Sequence, residues 1–308
     1  MPLFFDHDLV PQMAPLKPSD WANHDLVFKI DAVEMLKKLP DGSIDLCIFD
    51  PAYESLEKHR ARGTTTRLKK SKSSSNKWFD VFPNERYPEL LTELYRVMKP
   101  GTHIYIFCDE TTADVLKPIA REVGFWVWKS LIWVKTTKRA NSLWDMLRRA
   151  LKSIFHPTRL TRHSLLRMNV VRDLVQALDV GELMSGMTRT GLGWHWRNSC
   201  ERILFLEKRS TKQNWPRLHP TGRGRKLNSN SLRDILYAAP VLDDDAYPTQ
   251  KPVSVIEQLI ANSSEEGETV LDVFGGSGAT GEAASNLYRR FILCDTSDDS
   301  IDTMRQRF

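Results

Sequence analysis

Apolar positions along the chain alternate between short continuous runs and helical spacing, and this alternation predicts an α/β fold. LVFKI (26–30) reads as a strand, and AVEMLKKL (32–39) as a short helix with Val33, Leu36 and Leu39 on one face. Pro40-Asp41-Gly42 is a turn. SIDLCIF (43–49) is apolar almost throughout, as expected of a strand covered on both faces in a parallel sheet. Leu90, Leu91, Leu94 and Val97 predict a helix over 87–98, closed by Lys99-Pro100-Gly101 before the strand THIYIFC (102–108). A helix over 111–123 follows, then FWVWKSLIWV (125–134) as one long strand or a hairpin. RILFLEK (202–208), TVLDVF (269–274) and RFILCD (290–295) read as strands. VSVIEQLIA (253–261), started by Pro252, and EAASNLY (282–288) read as helices. Residues 1–25, with Pro2, Pro11, Pro15 and Pro18 and no periodicity, read as an arm over the surface.

Composition narrows the class. With 41% apolar residues, nine Trp and thirteen Phe in 308, a full core is available and disorder is excluded as the dominant state. No run approaches 18 apolar residues, so no membrane-spanning helix is expected, and the first ten residues lack the charge and apolar run of a secretory signal. Cys47, Cys108, Cys200 and Cys294 lie far apart, with no metal-ligand or redox spacing. Each sits in or beside an apolar run, which predicts buried, reduced thiols and no metal site.

Charge is concentrated rather than spread. Residues 54–77 carry +6 and residues 135–226 carry +14, leaving −15 on the remainder of a chain whose net charge is +5. The longer segment includes Trp144, Trp194, Trp196 and Trp215. Two basic insertions on an acidic scaffold point to a polyanionic partner. The shorter one, within the Thr/Ser/Lys-rich stretch 54–78, has almost no apolar residues and reads as a mobile loop. The longer one has helical spacing, for example over 143–154 and 170–180.

Two local patterns carry chemistry. Gly276, Gly278 and Gly281 fit G-x-G-x-x-G between a strand and a helix, with Asp295 at the tip of the following strand. That is the arrangement of a nucleotide site, with glycines admitting close backbone approach and an acid taking ribose hydroxyls. Only 13 residues follow Asp295, so strands from the N-terminal half must complete the sheet. A permuted order of this kind argues against a dinucleotide dehydrogenase. The second pattern, Asp50-Pro51-Ala52-Tyr53, ends an apolar strand, where open α/β sheets place their active sites.

With both patterns in one chain, the sequence resembles the amino-methyltransferases of DNA in the permuted β group, whose D-P-P-Y motif precedes the target-recognition region and whose cofactor motif comes last. DLCIFDPAY (45–53) resembles the catalytic strand and turn, YPTQKPVSVIEQLI (247–260) the T-Q-K-P helix, and LDVFGGSGATG (271–281) the glycine turn. FKIDAVEMLKKLPDGSIDL (28–46) and LTELYRVMKPGTHIYIF (91–107) match flanking patterns. The likeness covers about 26–134 and 200–300, but not the insertion between. Ala52 stands where the second Pro is usual, Ala279 where Thr is usual, and TSDD after Asp295 departs from the common form.

The resemblance implies a doubly wound, mostly parallel, circularly permuted methyltransferase sheet with an inserted, mainly helical target-recognition region. The boundaries are an arm (1–25), a catalytic half (26–134, including the basic loop), the insertion (135–246) and a cofactor half (247–308). It implies S-adenosylmethionine as cofactor. The turn Asp272, Phe274, Gly276, Ser277, Gly278 would face its methionine part, Thr249, Gln250 and Lys251 its methionine end, Asp295 its ribose and Asp31 its adenine. Asp31 is equally placed to cap a helix. Double-stranded DNA is the implied partner, held by Arg67, Lys69 and Lys70 in the loop and Arg148 and Arg149 in the insertion. A homodimer and a cognate restriction endonuclease remain open as partners, and the implied setting is cytoplasmic, at the nucleoid.

Asp50 and the Pro51 carbonyl would accept hydrogen bonds from an exocyclic amine, and Tyr53 would stack on the base. The product expected is N6-methyladenine. Cytosine N4, where the motif more often begins with Ser, is the alternative within the family, and a DNA-binding regulator with a decayed core is the alternative outside it. RNA as substrate is a third reading.

Overall fold

The computed structural model describes residues 1–6, 13–54, 81–136, 199–209, 227–229, 232–241, 247 and 249–308. The chain divides into two units. The larger comprises Met1–Trp133, Glu201–Leu236 and Val241–Phe308; the smaller comprises Val134–Cys200 and Tyr237–Pro240. Most of the smaller unit, and with it most of the basic insertion, lies outside the described residues.

The strands are β1 (Leu3–Phe5), β2 (Leu26–Lys29), β3 (Ile44–Phe49), β4 (Met98–Cys108), β5 (Trp126–Lys135), β6 (Cys200–Lys208), β7 (Ile235–Ala238), β8 (Thr269–Asp272) and β9 (Arg290–Asp295). They form one sheet in the order β1-β2-β9-β8-β3-β4-β6-β5-β7. From β1 to β4 the pairing is parallel. β6 then runs antiparallel to β4, from Thr102 opposite Lys208 to Cys108 opposite Arg202. The last two parallel strands of the chain, β8 and β9, thus lie between β2 and β3. The sheet is completed by N-terminal strands, as the position of the glycine turn requires.

The helices are α1 (Pro18–Trp21), α2 (Ala32–Lys38), α3 (Tyr87–Val97), α4 (Glu110–Val123), α5 (Val253–Ser263), α6 (Ala279–Asn286) and α7 (Asp298–Arg307). Alternation along β3 shows how both sheet faces are covered. Cys47 and Phe49 belong to a cluster with Leu36 of α2, Leu90 and Leu94 of α3 and Leu116 of α4. Leu46 and Ile48 point the other way and are equally buried. On that second face, Ser263 of α5 bonds the His103 ring at 2.9 Å and the Tyr105 hydroxyl at 2.7 Å.

Several local readings differ from expectation. The N-terminal residues add a strand, with Phe5 opposite Phe28, and Leu16 and Trp21 enter the core. Isolated apolar residues between prolines have no period, so pattern alone assigns them no partner. Lys99-Pro100-Gly101 does not end α3 in a separate turn: β4 begins at Met98, and its register on β3 shifts between Ile44 and Leu46 to absorb the extra residues. Cys47, Cys108 and Cys294 are buried, but Cys200, the first residue of β6, is exposed. Of the two expectations for 125–134, the single strand holds, as Trp126–Lys135. Among the described residues no helix is long and apolar enough to span a membrane, and no cluster of metal ligands occurs.

Candidate active site

Five neighbouring parallel strands each reach an aspartate at or just beyond the carboxyl end. Across the sheet these are Asp31 after β2, Asp295 on β9, Asp272 on β8, Asp50 after β3 and Asp109 after β4. Strand polarity and order, rather than sequence proximity, bring them to one edge.

Asp272 is buried, with its carboxylate accepting from the Phe274 amide at 2.9 Å and from the Thr280 hydroxyl at 2.6 Å. Burial pushes its pKa up to about 7; these two hydrogen bonds oppose the shift, while Asp295 and Asp50 add to it. Asp295 accepts from the Gly276 amide at 2.8 Å and from the Ser297 amide at 2.9 Å, and burial raises its pKa against those bonds. Asp31 accepts from the Val33 and Glu34 amides as the N-cap of α2, and Arg86 grips it with two bonds of 2.8 and 2.7 Å. Burial opposes ionisation there, but Arg86 and the cap hold the pKa below its usual value.

The glycine turn is built by two backbone bonds, Gly275 N–H to Cys294 O and Gly278 N–H to Gly275 O, both 2.8 Å. Gly276 and Gly278 have φ of +49° and +77°, a region that favours glycine. A Cβ on Gly278 would come within 2.9 Å of Met304 in α7, and one on Gly281 within 2.7 Å of Phe308 and 2.9 Å of Leu293. The need for glycine at those two positions comes from packing within the chain. At Gly276 a Cβ would meet the Tyr247 ring at an ordinary 3.4 Å, so the backbone angle is what favours glycine there. Ser277 is buried in the same turn.

Asp50 lies at the start of the turn that carries Pro51 and Tyr53. Its carboxylate is paired with the Lys251 ammonium, which also faces Glu201 at 3.4 Å. Burial disfavours the Lys251 charge, but Asp50 and Glu201 outweigh it and raise its pKa. Thr249, two residues earlier, is β-branched and has φ +60°, a strained conformation. Gln250 accepts from Arg307 at 2.9 Å. The structure therefore places Lys251 against the Asp-Pro-Ala-Tyr turn, and Gln250 against α7.

Tyr53 is partly buried; burial first, then Asp50 and Glu201, pushes its phenol up, so the ring is a neutral surface at physiological pH. Residues 82–86 return to this turn. Phe82 donates its amide to Ala52 O at 2.8 Å and bridges Tyr53, while Glu54 accepts from the Asn84 amide and side chain, both at 2.9 Å. The Phe82 ring also packs on Phe274, whose ring packs on Phe49. Sequence reasoning missed Phe82, Asn84, Arg86, Glu201, Tyr247 and Thr280. Thr280 was readable, since a hydroxyl stands beside the position where the family pattern has Thr; the others touch the site only through the fold. Arg67, Lys69, Lys70, Arg148 and Arg149 lie outside the described residues.

A parallel sheet closed by antiparallel β6, with a glycine turn after β8 and Asp-Pro-Ala-Tyr after β3, defines a methyltransferase of the nucleotide-cofactor α/β class. The sequence model of the DNA methylase family matches residues 44–306, and the chain belongs to that family, a DNA methyltransferase of the N6/N4 kind. It is 25% identical over 286 residues to the type II methyltransferase M.HinfI of Haemophilus influenzae, covering 91% of this chain and 67% of that one. It is 24% identical over 283 residues to M.HpaI of Haemophilus parainfluenzae, covering 90% and 72%. Among solved structures, the M1.HpyAVI–SAM complex superposes with a TM-score of 0.51 at 18% identity, covering 92% of this chain and 98% of that one. The cytosine-N4-specific PvuII DNA methyltransferase superposes with a TM-score of 0.54 at 14% identity, covering 92% and 85%. These two share its fold.

Proposed function

We propose that the chain transfers a methyl group from S-adenosylmethionine to the exocyclic N6 of adenine in duplex DNA. The observation that carries this reading is the carboxylate of Asp50 at the end of β3, on the same sheet edge as the glycine turn and Asp295. A cationic cofactor fits this edge, because burial opposes the ionisation of Asp272 and Asp295, Asp295 further opposes that of Asp272, and a nearby positive charge relieves both. When bound, the cofactor supplies a methyl group already activated as a sulfonium.

The chain's own residues then have three tasks. The carboxylates of Asp272 and Asp295, the latter fixed by the Gly276 amide, would hold the cofactor against the turn. Tyr53 stacks on a base flipped out of the duplex, offsetting part of an unstacking cost of a few kcal/mol. Asp50 and the Pro51 carbonyl accept hydrogen bonds from the N6 amine. They hold its lone pair out of conjugation and in line with the methyl, and alignment of this kind supplies much of the rate. Transfer would form the N6–CH3 bond as the sulfonium S–CH3 bond breaks and leaves a neutral thioether, and the proton that N6 then sheds would pass along the hydrogen bond to Asp50. No covalent enzyme intermediate is required.

The test is incubation with radiolabelled S-adenosylmethionine and plasmid DNA, followed by digestion and identification of the labelled nucleoside. N6-methyladenine is expected. N4-methylcytosine would transfer the same machinery to the other amine, label in RNA alone would change the substrate, and no label with intact DNA binding would make the chain a regulator.

A further inference from the structure

The Lys251 ammonium sits between two carboxylates from different strands, Asp50 after β3 and Glu201 on β6, with its side chain 11% exposed. Nothing in cofactor binding calls for that placement. Resting on the methyltransferase reading above, we propose that Lys251, held by Glu201, is a positioning residue that presents the Asp50 carboxylate to the target amine.

Geometry and charge both support the role. An ammonium has three donors and a carboxylate several acceptor sites, so the pair leaves Asp50 able to receive an amine N–H as well. Asp50 alone would hold Lys251 at one point; Glu201, 3.4 Å away, fixes it from the far side, and the Thr249 carbonyl approaches it at 3.5 Å. Thr249, two residues earlier, has φ +60°. The three side chains together carry −1, enough to attract a developing positive charge on N6 without a second uncompensated carboxylate.

The surroundings of Asp50 explain why a cation is needed. Asp109, Asp272, Asp295 and Glu201 all contribute negative charge to this edge. Arg202, the cation near Cys108, is paired with Glu110 at 3.4 Å. Tyr53, Tyr87, Tyr247 and Cys108 are each pushed up by burial and stay neutral at physiological pH. Removing the Lys251 charge would favour the protonated Asp50 carboxyl, which offers the amine a donor in place of one acceptor.

Three variants of the full chain test this: Lys251→Met, Lys251→Arg and Glu201→Gln. With saturating cofactor and DNA, Lys251→Met should lower kcat at pH 7 on the order of 30-fold and move the acidic limb of the pH–rate profile up by about one unit or more. Cofactor affinity should stay within about threefold. Glu201→Gln removes a negative charge from beside the pair, so it should lower kcat by loosening Lys251 without moving the limb up, and Lys251→Arg should restore the wild-type limb. A Lys251→Met enzyme with weakened cofactor binding and an unmoved limb would overturn the proposal and return Lys251 to the methionine end of the cofactor. The activity-independent readout is NMR titration of the Asp50 carboxyl carbon, assigned with Asp50→Asn. Its midpoint should rise in Lys251→Met and stay level or fall in Glu201→Gln; an unchanged midpoint in Lys251→Met overturns the proposal. If Lys251→Met does not fold, Lys251→Gln carries the same test. Wild-type protein inert on DNA, but with the Asp50 midpoint dependent on Lys251, would defeat the methyltransferase reading while leaving the ion-pair relay intact.

Discussion

The Phe82 ring stands edge-on to the Phe274 ring, with centroids 5.2 Å apart and planes at 82°. Phe82 follows the segment 55–80, and Phe274 belongs to the glycine turn, so one aromatic contact ties the catalytic turn to the cofactor turn. Phe82→Ala should destabilise the fold by about 3 kcal/mol, as expected of a buried aromatic reduced to a methyl, and weaken cofactor binding through the displaced Phe274. Phe82→Leu should lose much less. Thermal unfolding with and without cofactor measures both effects.

On the proposed role of Asp50 at the target amine, Asp50→Ala should abolish methyl transfer while leaving cofactor affinity within about tenfold. Tyr53→Ala should lose activity, and Tyr53→Phe should retain much of it, since stacking needs the ring and not the hydroxyl. A fluorescent base analogue at the target position reports whether the flipped state is lost in step with turnover.

Gly278→Val should unfold at a lower temperature before any effect on cofactor binding can be seen. Its Cβ meets Met304 at 2.9 Å and its backbone is left-handed, so steric and conformational penalties add. Gly276→Ala tests the turn more directly, since the added methyl meets nothing closer than Tyr247 at 3.4 Å. Calorimetric affinity on folded Gly276→Ala, set beside the melting temperature of Gly278→Val, separates the two roles.

The cofactor-free protein carries an Asp272 carboxyl raised to about 7 by burial. A raised acid favours the folded state fully below its unfolded pKa, near 4, and that contribution is lost as pH climbs through about 7. A cationic cofactor reverses the shift. Binding between pH 6 and 8 should therefore release a fraction of a proton and tighten as pH rises. Calorimetry in buffers of different ionisation enthalpy counts the protons, and Asp272→Asn should abolish the dependence.

Neutralising Arg67, Lys69 and Lys70 together should weaken DNA binding about equally on cognate and non-cognate duplexes and flatten the salt dependence, since phosphate contacts carry no sequence information. Substitutions within 135–226, Arg148 and Arg149 included, should instead alter which sequence is methylated. A salt titration of affinity on both duplexes distinguishes the two. A changed site preference with the wild-type salt slope in the triple variant would reverse this division.

Periodicity located the strands that make the site, because a parallel strand buried on both faces leaves an uninterrupted apolar run, as at 43–49 and 290–295, where local pattern and tertiary burial carry the same information. The glycine turn and Asp-Pro-Ala-Tyr were legible for a similar reason, since backbone angle and strand termination are local demands written in residue type. The permuted order is seen in the sheet itself, where β8 and β9 lie between β2 and β3. What no local pattern could show is which side chains meet across strands. Asp31 and Arg86 are 55 positions apart, and Lys251 and Asp50 are 201 apart. Their pairing depends on strand order and on the entry of β8 and β9 between β2 and β3. The same holds for glycine: the sequence showed that Gly278 must be small, but only packing against α7 showed that the space is filled by Met304. Short-range constraints are carried by the chain itself, whereas long-range contacts exist only once the sheet has closed around them.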